Sequence, residues 1–147
     1  MPVAFQADVL LIAGSAIDTE VMLNVLHGQT TSIRTAVVRS GAEASHFLKV
    51  CKSVPSVILL DIQPPDIDGI ELLRRIRSDE RMSDVPVLIL SGKMNAAQKH
   101  DARCLGANGY IAQTNDPELL ADRLSIVKHL SPSEHHHGRR FTEVLTY

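Results

Sequence analysis

Apolar and polar positions along the chain alternate between two periods. Three runs are apolar at nearly every position: Val9-Leu10-Leu11-Ile12-Ala13, Val57-Ile58-Leu59-Leu60 and Val85-Pro86-Val87-Leu88-Ile89-Leu90. Short, bounded and rich in branched side chains, they read as strands buried on both faces. Ile33-Arg34-Thr35-Ala36-Val37-Val38 and Asn108-Gly109-Tyr110-Ile111-Ala112 are weaker strands. Between the runs, apolar residues recur at helical spacing. Ile17, Val21, Met22, Val25 and Leu26 do so up to Gly28, which suits a helix C-cap. Ser40-Gly41 leads into a helix carrying Ala44, Phe47, Leu48 and Cys51. A third helix runs from about Asp68 to Arg77, with Leu72, Leu73 and Ile76 on its apolar side and Glu71, Arg74, Arg75 and Arg77 on its wet side. A fourth spans Asn95 to Leu105 and is closed by Gly106. Asp116-Pro117 opens a fifth, with an acidic N-cap and proline in the first turn, carrying Leu119, Leu120, Leu124 and Val127.

The order is therefore strand then helix, repeated to the end of the last helix. Such alternation gives an α/β fold of three layers, a parallel sheet between helices, with right-handed crossovers. Repeated (βα)5 units match the flavodoxin-like doubly wound sheet, whose switch point lies between the first and third strands. That topology gathers Ala13, Gly14, Asp61 and Ser91 around one crevice at the carboxyl edge of the sheet. Residues 1–130 form this domain. Residues 131–147, beginning Ser131-Pro132-Ser133-Glu134, read as a linker or the start of an output segment.

Composition narrows the class without redirecting it. At 147 residues, 44% hydrophobic and 22% charged, the chain is an ordinary soluble globule that needs no disulfide or metal to hold its core. A formal charge of −2 offers no footprint for nucleic acid or an anionic membrane. No apolar run reaches the roughly 18 residues of a membrane span, and the first residues lack the basic stretch of a signal peptide. Cys51 and Cys104 read as free thiols, so a reducing cytoplasm is the expected location. His135-His136-His137, on the polar tail, is a weak metal ligand at most.

The stretch carrying the chemistry is Val57-Ile58-Leu59-Leu60, the third strand in chain order, which runs into Asp61 and is followed by Ile62-Gln63-Pro64-Pro65-Asp66-Ile67-Asp68-Gly69. Taken alone, Asp61 also fits a residue that ends a strand and caps the next turn. In this setting the chain resembles the receiver domain of bacterial two-component response regulators, over about residues 7 to 129. The resemblance implies a phospho-acceptor at Asp61, a phosphate-contacting hydroxyl at Ser91 and a reporting aromatic at Tyr110. The family's acidic pair after the first strand holds Mg²⁺; here those positions are Ala13 and Gly14. The family's lysine after the fifth strand is Gln113, followed by Thr114 in place of proline.

Mg²⁺ takes oxygen ligands in a rigid octahedron and is ordinarily held by more than one carboxylate or by phosphate as well. Removing a carboxylate at ~4 Å forfeits roughly 4 kcal/mol of gross attraction per unit charge at an effective dielectric near 20. The sequence therefore reads as a degenerate receiver, a pseudo-receiver that works by protein–protein interaction and is no enzyme. Mg²⁺ affinity is expected to be weak or lost, with no other cofactor and no metal site. The alternative is an atypical receiver that still accepts phosphate on Asp61 in a phosphorelay, with Lys93, two residues after Ser91, as a substitute cation. A more distant alternative is a flavodoxin-like cofactor binder using Gly14-Ser15-Ala16-Ile17-Asp18-Thr19, although no glycine-rich phosphate motif and few aromatics support it. The implied partners are a histidine kinase or another signalling protein, and a homodimer or output domain docked on the face of the fourth helix, fifth strand and fifth helix. Lys99, His100, Arg103, Asp116, Asp122 and Arg123 would populate that face.

Overall fold

A computed structural model of the protein describes residues 8–13, 23–24, 35–51, 54–61, 69–91, 95–112 and 116–124. These residues form strands β1 (Val9–Ile12), β2 (Thr35–Val38), β3 (Val57–Asp61), β4 (Val87–Ser91) and β5 (Gly109–Ala112). Helices α1 (Gly41–Val50), α2 (Gly69–Ser78), α3 (Ala96–Cys104) and α4 (Pro117–Leu124) connect or follow them, with a 3₁₀ turn at Glu80–Met82. They correspond to the second to fifth helices of the sequence pattern. Of the segment expected to form the first helix, Leu23 and Asn24 are described, and both are helical.

All strands are parallel, in the order β2-β1-β3-β4-β5. This is the flavodoxin-like order, and it puts the switch point between β1 and β3. Side chains alternate across each strand, so the continuous apolar runs feed two cores. Leu10, Ile12, Ile58, Leu60 and Ile89 face Phe47 and Leu48 of α1, Leu72, Leu73 and Ile76 of α2, and Ala102 of α3. Val9, Leu11, Ala13, Leu59, Leu90 and Ile111 face Leu120 and Leu124 of α4 on the other side. A run with no polar position is what a strand between two helical layers requires.

The helix starts follow the sequence signals. Ser40 accepts the Glu43 amide at 3.1 Å, while Glu43 Oε1 accepts the Arg39 amide at 2.8 Å. Asp116 Oδ1 accepts the Glu118 amide at 3.0 Å. Asn95 and Gln98 form a capping box on α3: Gln98 N donates to Asn95 Oδ1 at 2.8 Å and Asn95 N to Gln98 Oε1 at 3.0 Å. α3 buries only Ala102, so its ends matter more than its packing. Asn95→Ala is expected to destabilise the fold by about 1 kcal/mol, read as a lower urea midpoint at unchanged slope.

Some expectations are corrected. Arg77 does not share the wet face with Arg74 and Arg75. It turns back beneath the α3–β5 connection, where its guanidinium is half-buried. Leu119 is 38% exposed, because the apolar stripe of α4 runs through Leu120 and Leu124. β4 starts at Val87, two residues later than the apolar run. Pro86 has no amide to give a ladder, and its carbonyl instead accepts the Ile58 amide at 2.9 Å. Cys51 caps α1 from outside it, while Cys104 is the last residue of α3; both are free thiols. Asp68, Gly28 and Val127 lie outside the described residues.

Candidate functional site

The carboxyl edge of the sheet is assembled by strand register. β1 and β3 run side by side from Val9 opposite Val57 to Ile12 opposite Leu60. One residue further, Ala13 comes level with Asp61, about 4.8 Å away across the strand spacing. The Ala13 amide still donates to the Val38 carbonyl at 3.0 Å, so the ladder holds Ala13 in place beyond the end of β1. On the other side of β3, Asp61 is level with Leu90, and Ser91 pairs in turn with Ala112 of β5. Fold and register thus bring Ala13, Asp61 and Ser91 to one edge. Gly14, Lys93 and Gln113 lie outside the described residues, as does the Ser91 side chain.

The local chemistry is asymmetric. Asp61 is half-buried at the end of β3 and has polar company. Its neighbour Ala13 is 0% exposed and packs among Leu11, Leu59 and Leu90. Where a Mg²⁺ site requires a second carboxylate, this chain has a buried methyl group, and the next residue in sequence is a glycine with no side chain. Among the described residues no group of three or more His, Cys, Asp or Glu is placed to hold a metal. Among the described residues, nothing beside Asp61 supplies the second carboxylate that would fit Mg²⁺.

Tyr110 lies on β5, two strands from Asp61, on the opposite face. It is 8% exposed and belongs to the core of α1 and α2. The Lys99 ammonium of α3 stands 4.7 Å from its ring centroid, a cation–π contact that the sequence pattern gave no means of finding. Arg123 of α4 donates to the Ala112 carbonyl at 2.5 Å and ties that helix to the end of β5. Of the charged residues expected on this face, His100, Arg103, Asp116 and Asp122 are exposed, and Lys99 and Arg123 are half-buried by these contacts.

The family model of the response regulator receiver domain matches residues 9–125. The chain belongs to this family. Among curated relatives, this receiver is 28% identical over 90 residues to the chemotaxis protein CheY1 of Helicobacter pylori, covering 58% of this chain and 73% of that one. It is 38% identical over 73 residues to the phosphate regulon transcriptional regulatory protein PhoB of Pseudomonas aeruginosa, covering 50% of this chain but 32% of the regulator. It is similar in structure to the phosphorylated cyanobacterial phytochrome response regulator RcpA, with a TM-score of 0.78 at 25% identity, over 92% of this chain and 100% of that one. The receiver thus spans most of a chemotaxis relative and about a third of a transcriptional one. No helix among its described residues is long and apolar enough to cross a membrane.

Proposed function

We propose that this receiver is a pseudo-receiver, a signalling module that acts by binding other proteins and is not switched by Mg²⁺-dependent phosphorylation. One observation carries the reading: the position beside Asp61 that the chemistry needs as a carboxylate is the buried methyl of Ala13. Gly14 and Gln113 extend the same loss of charge in the sequence. Phosphoryl transfer depends mainly on positioning and on neutralising the transferring group. With neither a second carboxylate to fix a cation nor a lysine at the family position, that group meets the Asp61 carboxylate uncompensated. The module needs no cofactor and performs no catalysis of its own. Its partners are a histidine kinase or another signalling protein, and an output domain or second copy on the face of α3, β5 and α4. The length of the PhoB relative is consistent with an attached output domain. Incubation of the full chain with a small-molecule phosphodonor and Mg²⁺, followed by intact mass, should leave it unmodified. Stoichiometric addition of phosphate to the wild type, absent in Asp61→Asn, would overturn the proposal.

A second reading rests on the retention of Asp61 and Ser91 at the ends of the adjacent strands β3 and β4. It predicts saturable, Asp61-dependent shifts of nearby amide resonances with beryllofluoride and Mg²⁺. Lys93 would then be the first residue to test as the substitute cation.

A further inference from the structure

Helix α3 carries two metal-ligating groups that the acceptor site does not use. His100 and Cys104 are one helical turn apart, at i and i+4, where side chains share a face. In the sequence one belongs to a mixed-charge surface and the other is an isolated thiol. In the structure His100 Nε2 and Cys104 Sγ are 3.4 Å apart, and both residues are exposed. A thiol–imidazole hydrogen bond explains that distance. So does a chelate. With metal–sulfur and metal–nitrogen bonds of about 2.3 and 2.05 Å, donors at this separation subtend about 103° at a bound ion, close to tetrahedral. The pair also lies at the carboxyl end of α3, where the helix dipole favours a cation.

We propose that His100 and Cys104 form a two-donor chelate for a borderline divalent cation of the Zn²⁺ class, with the remaining coordination positions open to water. Cys104 binds as the thiolate, releasing its proton to solvent as the metal–sulfur bond forms. His100 binds through Nε2 as the neutral imidazole. A hard ion such as Mg²⁺ is a poor match for this nitrogen and sulfur pair. The site is therefore independent of the acceptor aspartate, on a different edge of the molecule. The nearby cations Lys99 and Arg103, on the same helix, oppose the charge of the ion and limit its affinity.

The test is a Co²⁺ titration of the reduced full chain, followed by absorption. The expected result is a saturable thiolate-to-cobalt charge-transfer band, abolished by Cys104→Ser and displaced by Zn²⁺. His100→Ala should weaken the titration at least about tenfold, since even losing an outer partner of a metal ligand commonly costs that much. Replacing His135, His136 and His137 by alanine should leave the band in place, because the tail contains no sulfur donor. Absence of the band in the wild type would overturn the proposal. So would its survival in Cys104→Ser, its indifference to His100→Ala, or its loss with the tail histidines. Both principal substitutions are at exposed positions, and circular dichroism confirms that each variant is folded.

Discussion

Replacing Ala13 and Gly14 with aspartate and Gln113 with lysine is expected to give this receiver Mg²⁺-dependent uptake of phosphate on Asp61, which the proposed reading denies to the wild type. The effect is close to all-or-none, and the intermediate steps are ordered. Ala13→Asp alone places a second carboxylate about 5 Å from Asp61, where two like charges repel by roughly 3 kcal/mol at an effective dielectric of 20. It also inserts that carboxylate at a site that is 0% exposed among leucines. The single variant should therefore be less stable than the wild type in chelator. Mg²⁺ should restore part of the loss, because a divalent ion converts the repulsion into shared attraction. Gly14→Asp adds a further ligand and strengthens the response to the ion. Gln113→Lys supplies the positive charge that the family places after β5. Thermal melts with and without Mg²⁺ follow the first two steps. Intact mass after treatment with a small-molecule phosphodonor follows the last, with Asp61→Asn as control. A rebuilt chain that folds and gains a Mg²⁺-dependent melting shift, yet never acquires phosphate, would show that these charges alone do not decide whether the domain takes up phosphate.

Much of this site is legible in the sequence, for a physical reason. A strand buried on both faces has no polar positions to spare, so the single carboxylate ending Val57-Ile58-Leu59-Leu60 stood out. Parallel topology then assigned it to the edge where Ala13 and Ser91 also fall, and the register of β1, β3 and β4 agrees with that placement. The helix starts were legible at Ser40, Asn95 and Asp116, since capping is a local interaction within a few residues. Long-range contacts had no such signature. Lys99 over Tyr110 and Arg123 on the Ala112 carbonyl join residues 11 apart, on elements whose relative placement only the fold sets. Arg77 is the clearest failure. Helical spacing put it at the edge of the wet face, but its long side chain reaches residues 29 and 31 positions away.

That arginine carries the largest expected effect on stability. Arg77→Ala should destabilise the receiver by about 3 kcal/mol, as several charged hydrogen bonds worth roughly 1.5–3 kcal/mol each are lost but not additively. The guanidinium donates from Nε to the Gly106 carbonyl at 3.0 Å, to the Met82 carbonyl at 2.7 Å and to Asn108 Oδ1 at 2.7 Å. Asn108 in turn accepts the Val87 amide at 2.9 Å through the same oxygen, so one side chain joins α2, the 3₁₀ turn, the start of β4 and the entry to β5. Burial lowers the Arg77 pKa and Asp84 partly opposes this. A cation with a lowered folded-state pKa favours folding more as pH rises through the interval between its folded and unfolded values. For a guanidinium that interval is strongly alkaline, so the loss in Arg77→Ala should be flat from about pH 5 to 9. Arg77→Lys should recover less than half of it, because a single ammonium cannot match a fork that serves separated acceptors. Gly106 makes the argument testable by coupling. Its φ is +110°, and a Cβ there would stand 2.8 Å from Arg77 Cγ and Nε. Gly106→Ala should therefore cost about 2–3 kcal/mol, part backbone strain and part collision with the arginine stem. In an Arg77→Ala background the collision disappears and only the strain remains. Urea denaturation of the four proteins in the cycle should give a combined loss at least about 1 kcal/mol smaller than the sum of the single losses. Strict additivity would mean that Arg77 does not occupy the space beneath Gly106.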